Sequence, residues 1–309
     1  MIKNITHDLY GRINSMIHWF SAQNKMKRLY RPTMSNIYEY RFLNDLSSGY
    51  SFYLRDEKSK QDFLTIEPKG CKLSKLVEDN CEYDFSDDFE KIIDDIAYDL
   101  VAFGRAYIYL HPVKKQPVSM ELESIEIQRL KGFVQKKNKT KTRFYVKRGD
   151  ETVEKIIMPM NQLIELDIKD IGYNRHYFRN IIKKLDKCDA TDTLLKMQMN
   201  SVEYDYLVHK EKLKMRELKV LKDIGWFMSD DGLSDSYILY KRIELNQLRI
   251  RFLTYILDKL NDGLKSLIDI NDGEIVAHIK ALNYDQLWSE YSRGEITGTD
   301  LDSILSACY

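Results

Sequence analysis

The chain has 309 residues, of which 43% are hydrophobic and 31% are charged, and it contains only 13 glycines and 5 prolines. These values indicate a globular protein with a substantial core and exclude collagen-like and low-complexity classes. The 48 basic and 48 acidic residues give a formal net charge of zero. A monomeric, general nucleic-acid binder is therefore disfavoured, because such proteins usually carry a basic excess.

The N-terminal residues and the spacing of the cysteines further narrow the class of protein. The segment from Met1 to Asp8 has no cationic stretch leading into an apolar core, and no uncharged apolar run reaches the length that spans a bilayer. The sequence thus predicts a cytoplasmic protein with no membrane contact. The four cysteines lie far apart and form no C-x-x-C pair, so we expect reduced structural thiols, no metal and no cofactor.

The first 70 residues are predicted to be an N-terminal helical region. Apolar residues recur at helical spacing from Leu9 to Tyr30, and Arg31-Pro32 ends that helix. A second helix is expected from Ser35 to Leu46. The aromatic stretch from Tyr50 to Leu54 follows a Ser-Ser-Gly turn and is predicted to be a strand.

An acidic amphipathic helix opens the second predicted domain, residues 71–172. Ten carboxylates and one cation lie between Glu78 and Asp99. Apolar residues three or four positions apart form one face of the helix: Phe85, Phe89, Ile92, Ile96, Leu100 and Phe103. Asp84 is a candidate N-cap and Gly104 a candidate C-terminal stop. We expect the carboxylate-rich face to be solvated or to meet a partner.

A basic β-meander follows the acidic helix. From Arg105 to Ile168 the hydrophobic period becomes alternating, which predicts a mostly antiparallel sheet of five or six strands. The segment from Gln128 to Arg148 holds nine cations and no carboxylate. Its centre, Lys136 to Lys141, is predicted to be a hairpin tip. The neutral whole chain therefore contains two adjacent segments of strong and opposite charge.

The third predicted domain, residues 173–309, is mostly helical. One long helix is expected from Asn174 to Phe227, with a break near residues 186–192, and a second from Ile238 to Leu267. Both have an imperfect heptad stripe, which predicts an antiparallel helical hairpin.

A short strand from Glu274 to Leu282 and two small terminal helices complete the chain, with Thr299 and Asp302 as a capping pair. The predicted fold class is α+β. N-terminal helices precede a central, mostly antiparallel sheet packed on an amphipathic helix, and a long C-terminal helical hairpin follows.

The basic hairpin has three interpretations that the sequence leaves open. Its cations can neutralise phosphates while Phe133, Phe144 and Tyr145 stack on bases. It can also be a solvated hairpin with these aromatic rings facing the core. In the third interpretation it meets the acidic helix of another copy, which favours a head-to-tail, ring-closing homo-oligomer.

Two sets of candidate contact residues follow from these interpretations. The candidates for nucleic-acid or subunit contact are Lys136, Lys137, Lys139, Lys141 and Arg143. The candidates for subunit contact on the acidic helix are Asp87, Asp88, Asp94 and Asp95.

An enzymatic alternative rests on Asp167 and Lys169 at a predicted strand end. Metal-dependent nucleases of the D-x-K type use the carboxylate to hold the metal and the lysine to position the attacking water. That chemistry also needs an acid from a neighbouring strand, for which Asp150, Glu151 and Glu154 are candidates. In a chain with 31% charged residues a D-x-K triplet arises easily by chance, so ordinary solvent-exposed strand-end residues are the default interpretation. No phosphate-binding loop, dinucleotide motif or hydrolase elbow is present either.

With these elements in order, the chain resembles the portal proteins of tailed phages. The resemblance is strongest where an amphipathic helix, a glycine and a β-run follow one another in FEKIIDDIAYDLVAFGRAYIYL. Three further segments are similar in residue type, together with the glycine-containing turn at Gly172: Glu121 to Lys137, Lys155 to Asp167 and Tyr240 to Leu260. In this comparison residues 71–172 are similar to a wing domain and residues 173–309 to a stem.

The resemblance implies a structural protein without catalytic chemistry. It implies a homo-oligomeric ring that conducts double-stranded DNA into or out of a phage capsid and contacts capsid or packaging proteins. The implied location is the capsid vertex of the virion, or the host cytoplasm during assembly. The chain departs from the family in being short and in lacking a recognisable clip segment between Met197 and Tyr237. A reduced or domesticated portal, or a small regulatory module that binds a phage or host protein, is the remaining alternative.

Overall fold

The structure, a computed structural model, describes residues 37–56, 61–77, 84–114, 122–137, 141–147, 153–185, 206–221, 224–226, 233–268 and 272–305. Within these ranges the protein has the predicted α+β fold, and its strands pair antiparallel. The predicted helix from Leu9 to Tyr30 lies outside the described residues.

The elements follow one another in the predicted order of helices, strands and helices. The α-helices are α1 (Ile37–Ser47), α2 (Tyr50–Leu54), α3 (Lys72–Val77), α4 (Phe85–Phe103), α5 (Tyr177–Leu185), α6 (Tyr206–Leu221), α7 (Asp235–Ile268), α8 (Tyr284–Ser292) and α9 (Gly298–Leu305). The strands are β1 (Leu64–Glu67), β2 (Arg105–Lys114), β3 (Leu122–Arg129), β4 (Gly132–Lys137), β5 (Lys141–Lys147), β6 (Val153–Pro159), β7 (Leu163–Asp167) and β8 (Glu274–Ala277).

The acidic helix α4 begins and ends where its sequence predicts. The Asp84 side chain accepts a hydrogen bond from the Ser86 N–H at 3.4 Å, and Gly104 closes the helix in the left-handed region with φ 73°. A Cβ at Gly104 would lie 2.1 Å from the carbonyl oxygen of Arg175. Glycine therefore lets the chain turn directly from α4 into β2.

The central sheet has the strand order β3-β2-β7. Its inner face carries Ala106, Ile108 and Leu110 of β2 and Ile164 and Leu166 of β7, all buried in the main core with apolar residues of α4 and α7. This core draws residues from each of the three predicted domain ranges. Helix α7 passes so close to the sheet that a Cβ at its Gly263 would lie 2.3 Å from the Ile164 side chain.

A second three-stranded sheet, β4-β5-β6, packs on the outer face of the central sheet. Tyr107 of β2 meets Phe144 of β5 edge to face, with ring centroids 5.1 Å apart. The single sheet predicted from the sequence is therefore two sheets. The chain leaves the first sheet after β3, where the Leu130 N–H donates to the Tyr107 carbonyl at 2.9 Å, and it then pairs within the hairpin from Gly132 onward.

Two local predictions are wrong. The stretch from Tyr50 to Leu54 is a short helix, because Gly49 precedes it at φ 72° and Tyr50 and Leu54, four positions apart, are buried on one side. The cap of α9 lies two residues earlier than predicted. Thr297 and Asp300 form it reciprocally, with the Asp300 N–H donating to Thr297 Oγ1 at 3.1 Å and the Thr297 N–H to Asp300 Oδ2 at 3.0 Å.

The long C-terminal helix is confirmed as α7, which has 34 residues. The described parts of the preceding helical prediction are α5 and α6, and α6 packs against α5. Helix α6 ends at Leu221, earlier than the predicted Phe227. After α6, a Cβ at Gly225 would lie 2.0 Å from the Lys241 carbonyl oxygen of α7. The backbone at Gly225 therefore packs directly on α7.

Candidate functional site

The two oppositely charged segments lie on opposite sides of the central sheet. Helix α4 packs on the inner face through the main core, whereas the basic sheet β4-β5-β6 packs on the outer face through a small second core. Alternation along β2 explains the arrangement, because Ala106 and Ile108 face the first core and Tyr107 faces the second. One strand thus separates the acidic layer from the basic layer.

The candidate acids of α4 differ in their surroundings. Asp87 is exposed. Asp88 is bonded to Lys91 one turn later at 3.1 Å. Asp95 has an exposed side chain but contacts Arg129 of β3. Asp94 is turned toward the junction between α1 and α2. The acidic face is therefore only partly available to a partner.

Arg129 is the main electrostatic link between α4 and the sheet. It donates Nε–H and Nη2–H to the two carboxylate oxygens of Asp99 at 2.8 and 2.5 Å, and Nη1–H to Asp95 at 2.5 Å. Burial by itself lowers the pKa of a guanidinium, but the hydrogen bonds and charges of Asp99 and Asp95 raise the pKa of Arg129 above its usual value. A cation of the basic segment thus pairs with the acidic helix within one chain.

Asp94 and Glu90 hold the start of α2 against α4. Glu90 accepts the Ser51 N–H at 2.9 Å, and Asp94 accepts the Gly49 N–H. Burial, with a smaller contribution from the charge of Glu90, raises the pKa of Asp94 to about 7, although the hydrogen bond from Gly49 acts in the opposite direction. Within the described part of the chain, the Asp94 Oδ1 atom is buried and has no hydrogen-bond partner. Asp94 therefore titrates near neutral pH.

The basic hairpin has the predicted pairing, with Lys136 opposite Arg143 and Lys137 opposite Thr142. The side chains of Lys141 and Arg143 are exposed. Lys136 and Lys137 lie on β4, where the backbone pairing with β5 gives their positions. Lys139 lies outside the described residues.

The three aromatic rings of this segment are not an open stacking surface. Phe144 is completely buried in the second core. Tyr145 is buried on the opposite face of the strand, where its ring stacks on Phe133 with centroids 5.5 Å apart. The cations, and not the aromatic residues, are the accessible part of this surface.

The Asp167 carboxylate, which the nuclease interpretation needs for a metal, is held by two arginines. Arg105 Nε donates to Asp167 Oδ2 at 3.0 Å, and Arg175 donates to the same oxygen. Burial raises the pKa of this carboxyl, but the hydrogen bonds from Arg175, the Lys169 N–H and Arg105 outweigh it, and the pKa lies below its usual value. Lys169 is exposed in the turn that follows.

The structure does not bring the other nuclease candidates to Asp167. Glu154 lies on β6 in the second sheet and is exposed. Asp150 and Glu151 lie outside the described residues. Within the ranges that the structure describes, no three histidine, cysteine, aspartate or glutamate side chains are grouped as a metal site requires.

Sequence reasoning missed Arg129, Arg105 and Arg175 as partners of the acids. Arg105 had a readable signal, because it is in alternation with Tyr107 and Tyr109 and must share their face of β2. Arg129 and Asp99 gave no such signal, since they are 30 positions apart on different elements. Only the packing of α4 on the sheet brings them together.

Comparison with known proteins does not assign a family or a function to this chain. No known protein family matches the sequence, and a search of curated proteins finds no match. Among the helices in the described residues, none is both long enough and apolar enough to cross a membrane.

Proposed function

We propose that this chain is a portal-like structural subunit that forms a homo-oligomeric ring and conducts double-stranded DNA into or out of a phage capsid. The observation that carries the proposal is the placement of an acidic helix and a basic sheet on opposite sides of one central sheet. Complementary surfaces on opposite sides of a subunit allow each copy to contact the next one head to tail. Such contacts form a ring when the rotation from one subunit to the next adds up to a full turn. The resemblance of the sequence to phage portals supplies the choice of DNA as cargo.

The exposed members of the two layers define the contact. Asp87 is exposed near the start of α4, and Lys141 and Arg143 are exposed on β5. Such contacts steer association and fix its register, but each exposed ion pair contributes only about 0.2–1 kcal/mol. A ring held in this way is sensitive to ionic strength.

Helix α7 fits the role of a wall or brace in such a ring. Its 34 residues correspond to a length of about 50 Å at a rise of about 1.5 Å per residue. Conducting DNA requires weak, salt-screened contacts with the phosphates, because tight contacts would hold the duplex in place. A chain with zero net charge is compatible with that requirement. In this role the protein contacts capsid or packaging proteins at the vertex and carries out no chemistry.

Charge reversal at the two layers tests the ring directly. At low ionic strength we expect a large defined oligomer by mass photometry, and we expect Asp87→Lys and Arg143→Glu each to reduce it to smaller species. A chain that carries both reversals regains a complementary pair of surfaces and should assemble again. Mixing the two single variants should also restore assembly, since each supplies the surface that the other requires.

The matched control is Asp62→Lys, which makes the same charge change at an exposed position outside both layers. It should assemble like the unmodified chain. Thermal melting of every variant separates lost assembly from lost folding. A strictly single-chain protein at high concentration and low ionic strength would refute the ring, and so would a double variant that stays dispersed while folded.

DNA conduction has its own readout on the assembled ring. A preassembled ring that admits duplex by its end should retain linear DNA whose ends are blocked with a bulky protein after mixing, and should not retain closed circular DNA of the same sequence. Equal retention of both forms, or of neither, would refute conduction while leaving the ring intact.

A further inference from the structure

We propose that the cleft between the two three-stranded sheets binds an aliphatic ammonium group, in a free diamine or at the end of a lysine side chain. The cleft has a volume of about 430 Å³. Residues of β7 and Arg105 of β2 form one side, and Thr142 of β5 and Met160, which directly follows β6, form the other. Binding at this cleft does not depend on ring assembly or on DNA.

Alternation along β7 places three cleft residues in a row. Leu163, Glu165 and Asp167 line the cleft, whereas Ile164 and Leu166 between them are buried in the main core. Asp170 in the next turn adds a third carboxylate. The β7 side of the cleft is thus acidic, with one apolar position at its start.

Thr142 is the feature that points to a ligand. It lines the cleft from β5, it is only 1% exposed, and its Oγ1 atom has no hydrogen-bond partner among the residues that the structure describes. A buried hydroxyl without a partner is costly, and such groups are normally satisfied in native proteins. A ligand with a hydrogen-bond donor in the cleft would satisfy it.

The charges that line the cleft select a cation. The cleft is lined by three carboxylates and by one cation, Arg105, whose guanidinium already contacts Asp167 at 3.0 Å and Glu165 at 3.3 Å. Lys259 and the Tyr255 hydroxyl lie 3.3 and 2.9 Å from Asp170 Oδ2, and the Asp170 side chain remains 46% exposed. A phosphate or carboxylate ligand would meet this acidic side unfavourably.

A metal ion fits the same residues poorly. The Oδ2 atom of Asp167 accepts from both Arg105 and Arg175, and its Oδ1 atom accepts from the Lys169 N–H. An ammonium group has three donors and no acceptor, so it can use the Thr142 oxygen and a carboxylate oxygen together. Met160 and Leu163, which also line the cleft, provide apolar contact for the methylene groups of an alkyl amine.

Calorimetric titration of the full chain with cadaverine tests the proposal, with 1,5-pentanediol as the uncharged probe of the same length. We expect cadaverine to bind and the diol not to bind. Thr142→Val removes the hydroxyl at nearly constant volume and Asp170→Asn removes one charge. Each should weaken cadaverine binding about tenfold, the effect of losing one such interaction. Asp62→Asn, outside the cleft, should leave the affinity unchanged.

A second titration with Nα-acetyl-lysine methylamide distinguishes the two sources. Tighter binding of this compound than of cadaverine assigns the cleft to a lysine side chain, and the reverse order assigns it to a free diamine. Thermal melting confirms that each variant is folded, and Asp170→Asn at an exposed position provides a second variant should Thr142→Val fail to fold. The proposal is wrong if neither amine binds, if the diol binds equally well, or if both folded variants keep the original affinity.

Discussion

The acidic helix and the basic sheet carry opposite charge, and the fold uses these charges differently. In α4, Asp94 faces the start of α2, and Asp95 and Asp99 share Arg129. In the second sheet, Lys141 and Arg143 remain exposed to solvent. The charges of the helix are therefore largely engaged within the subunit, whereas Lys141 and Arg143 of the sheet are exposed and available to a partner. Charge density along a sequence does not by itself identify a binding surface.

Arg129 and Arg143 belong to the same basic segment but differ in their surroundings. Arg129 has a side chain that is 11% exposed and holds a carboxylate, Asp99, that is 6% exposed. Arg143 is exposed on the outward face of β5. Substitutions at the two positions should have effects of very different size.

The largest effect is expected from Arg129→Met. It leaves the buried Asp99 without its partner, and breaking such a pair typically costs about 3–5 kcal/mol in the free energy of unfolding. Urea denaturation followed by circular dichroism measures the loss. Adding Asp99→Asn to Arg129→Met should recover part of it, since no buried charge is then left unpaired. A loss below about 1 kcal/mol, the size of an exposed pair, would show that the pair does not hold the helix to the sheet.

The pH dependence of stability tests the environment of Asp94. Its pKa is raised from 3.8 in the unfolded chain to about 7 in the fold, so the folded protein binds more protons between these values. Stability should therefore fall as the pH rises from about 4 to about 7 and level off above that range. Asp94→Asn should remove this dependence and stabilise the protein by about 2 kcal/mol at pH 8. That figure is about half of what three pKa units give, because partial exposure screens the charge.

Denaturation at several pH values compares Asp94→Asn with Asp87→Asn, an exposed acid of the same helix. The second variant should keep the pH dependence of the unmodified chain. A pH profile that persists in Asp94→Asn would assign the titration to another group.

The smallest effect on folding is expected from Arg143→Glu. An exposed substitution away from packed groups changes the free energy of unfolding by about 0.5 kcal/mol or less. The same denaturation experiment as for Arg129→Met checks this value. A destabilisation as large as that of Arg129→Met would mean that the basic sheet, like α4, uses its charge within the subunit, and the comparison would fail.

Local elements were predictable where one physical signal determined them. The stripe of Phe85, Phe89, Ile96 and Leu100 predicted α4, and Asp84 and Gly104 predicted its ends. Alternation predicted the strands and the basic hairpin. The short segment from Tyr50 to Leu54 was mispredicted because aromatic composition favours a strand, while burial of Tyr50 and Leu54 on one side of a helical turn decided the outcome.

The exposure of the candidate contact residues was predictable only in part. Asp87, Lys141 and Arg143 are exposed, as an assembly contact requires. Asp94 and Asp95 were assigned to the same surface, but Asp94 faces α2 and Asp95 bonds to Arg129. Helical periodicity gives the side of a helix on which a residue lies. It does not give the element that packs against that side.

The sequence by itself determined the α+β class, the order of the elements and the separation of charge into two segments, since these follow from local periodicity, caps and composition. Only the tertiary structure decided that the predicted single sheet is two, that Arg129 holds Asp99, and that Thr142 lies over a cleft lined by Glu165, Asp167 and Asp170. These features join residues distant along the chain. Their energies depend on burial and on pairing across elements, which exist only once the layers have packed.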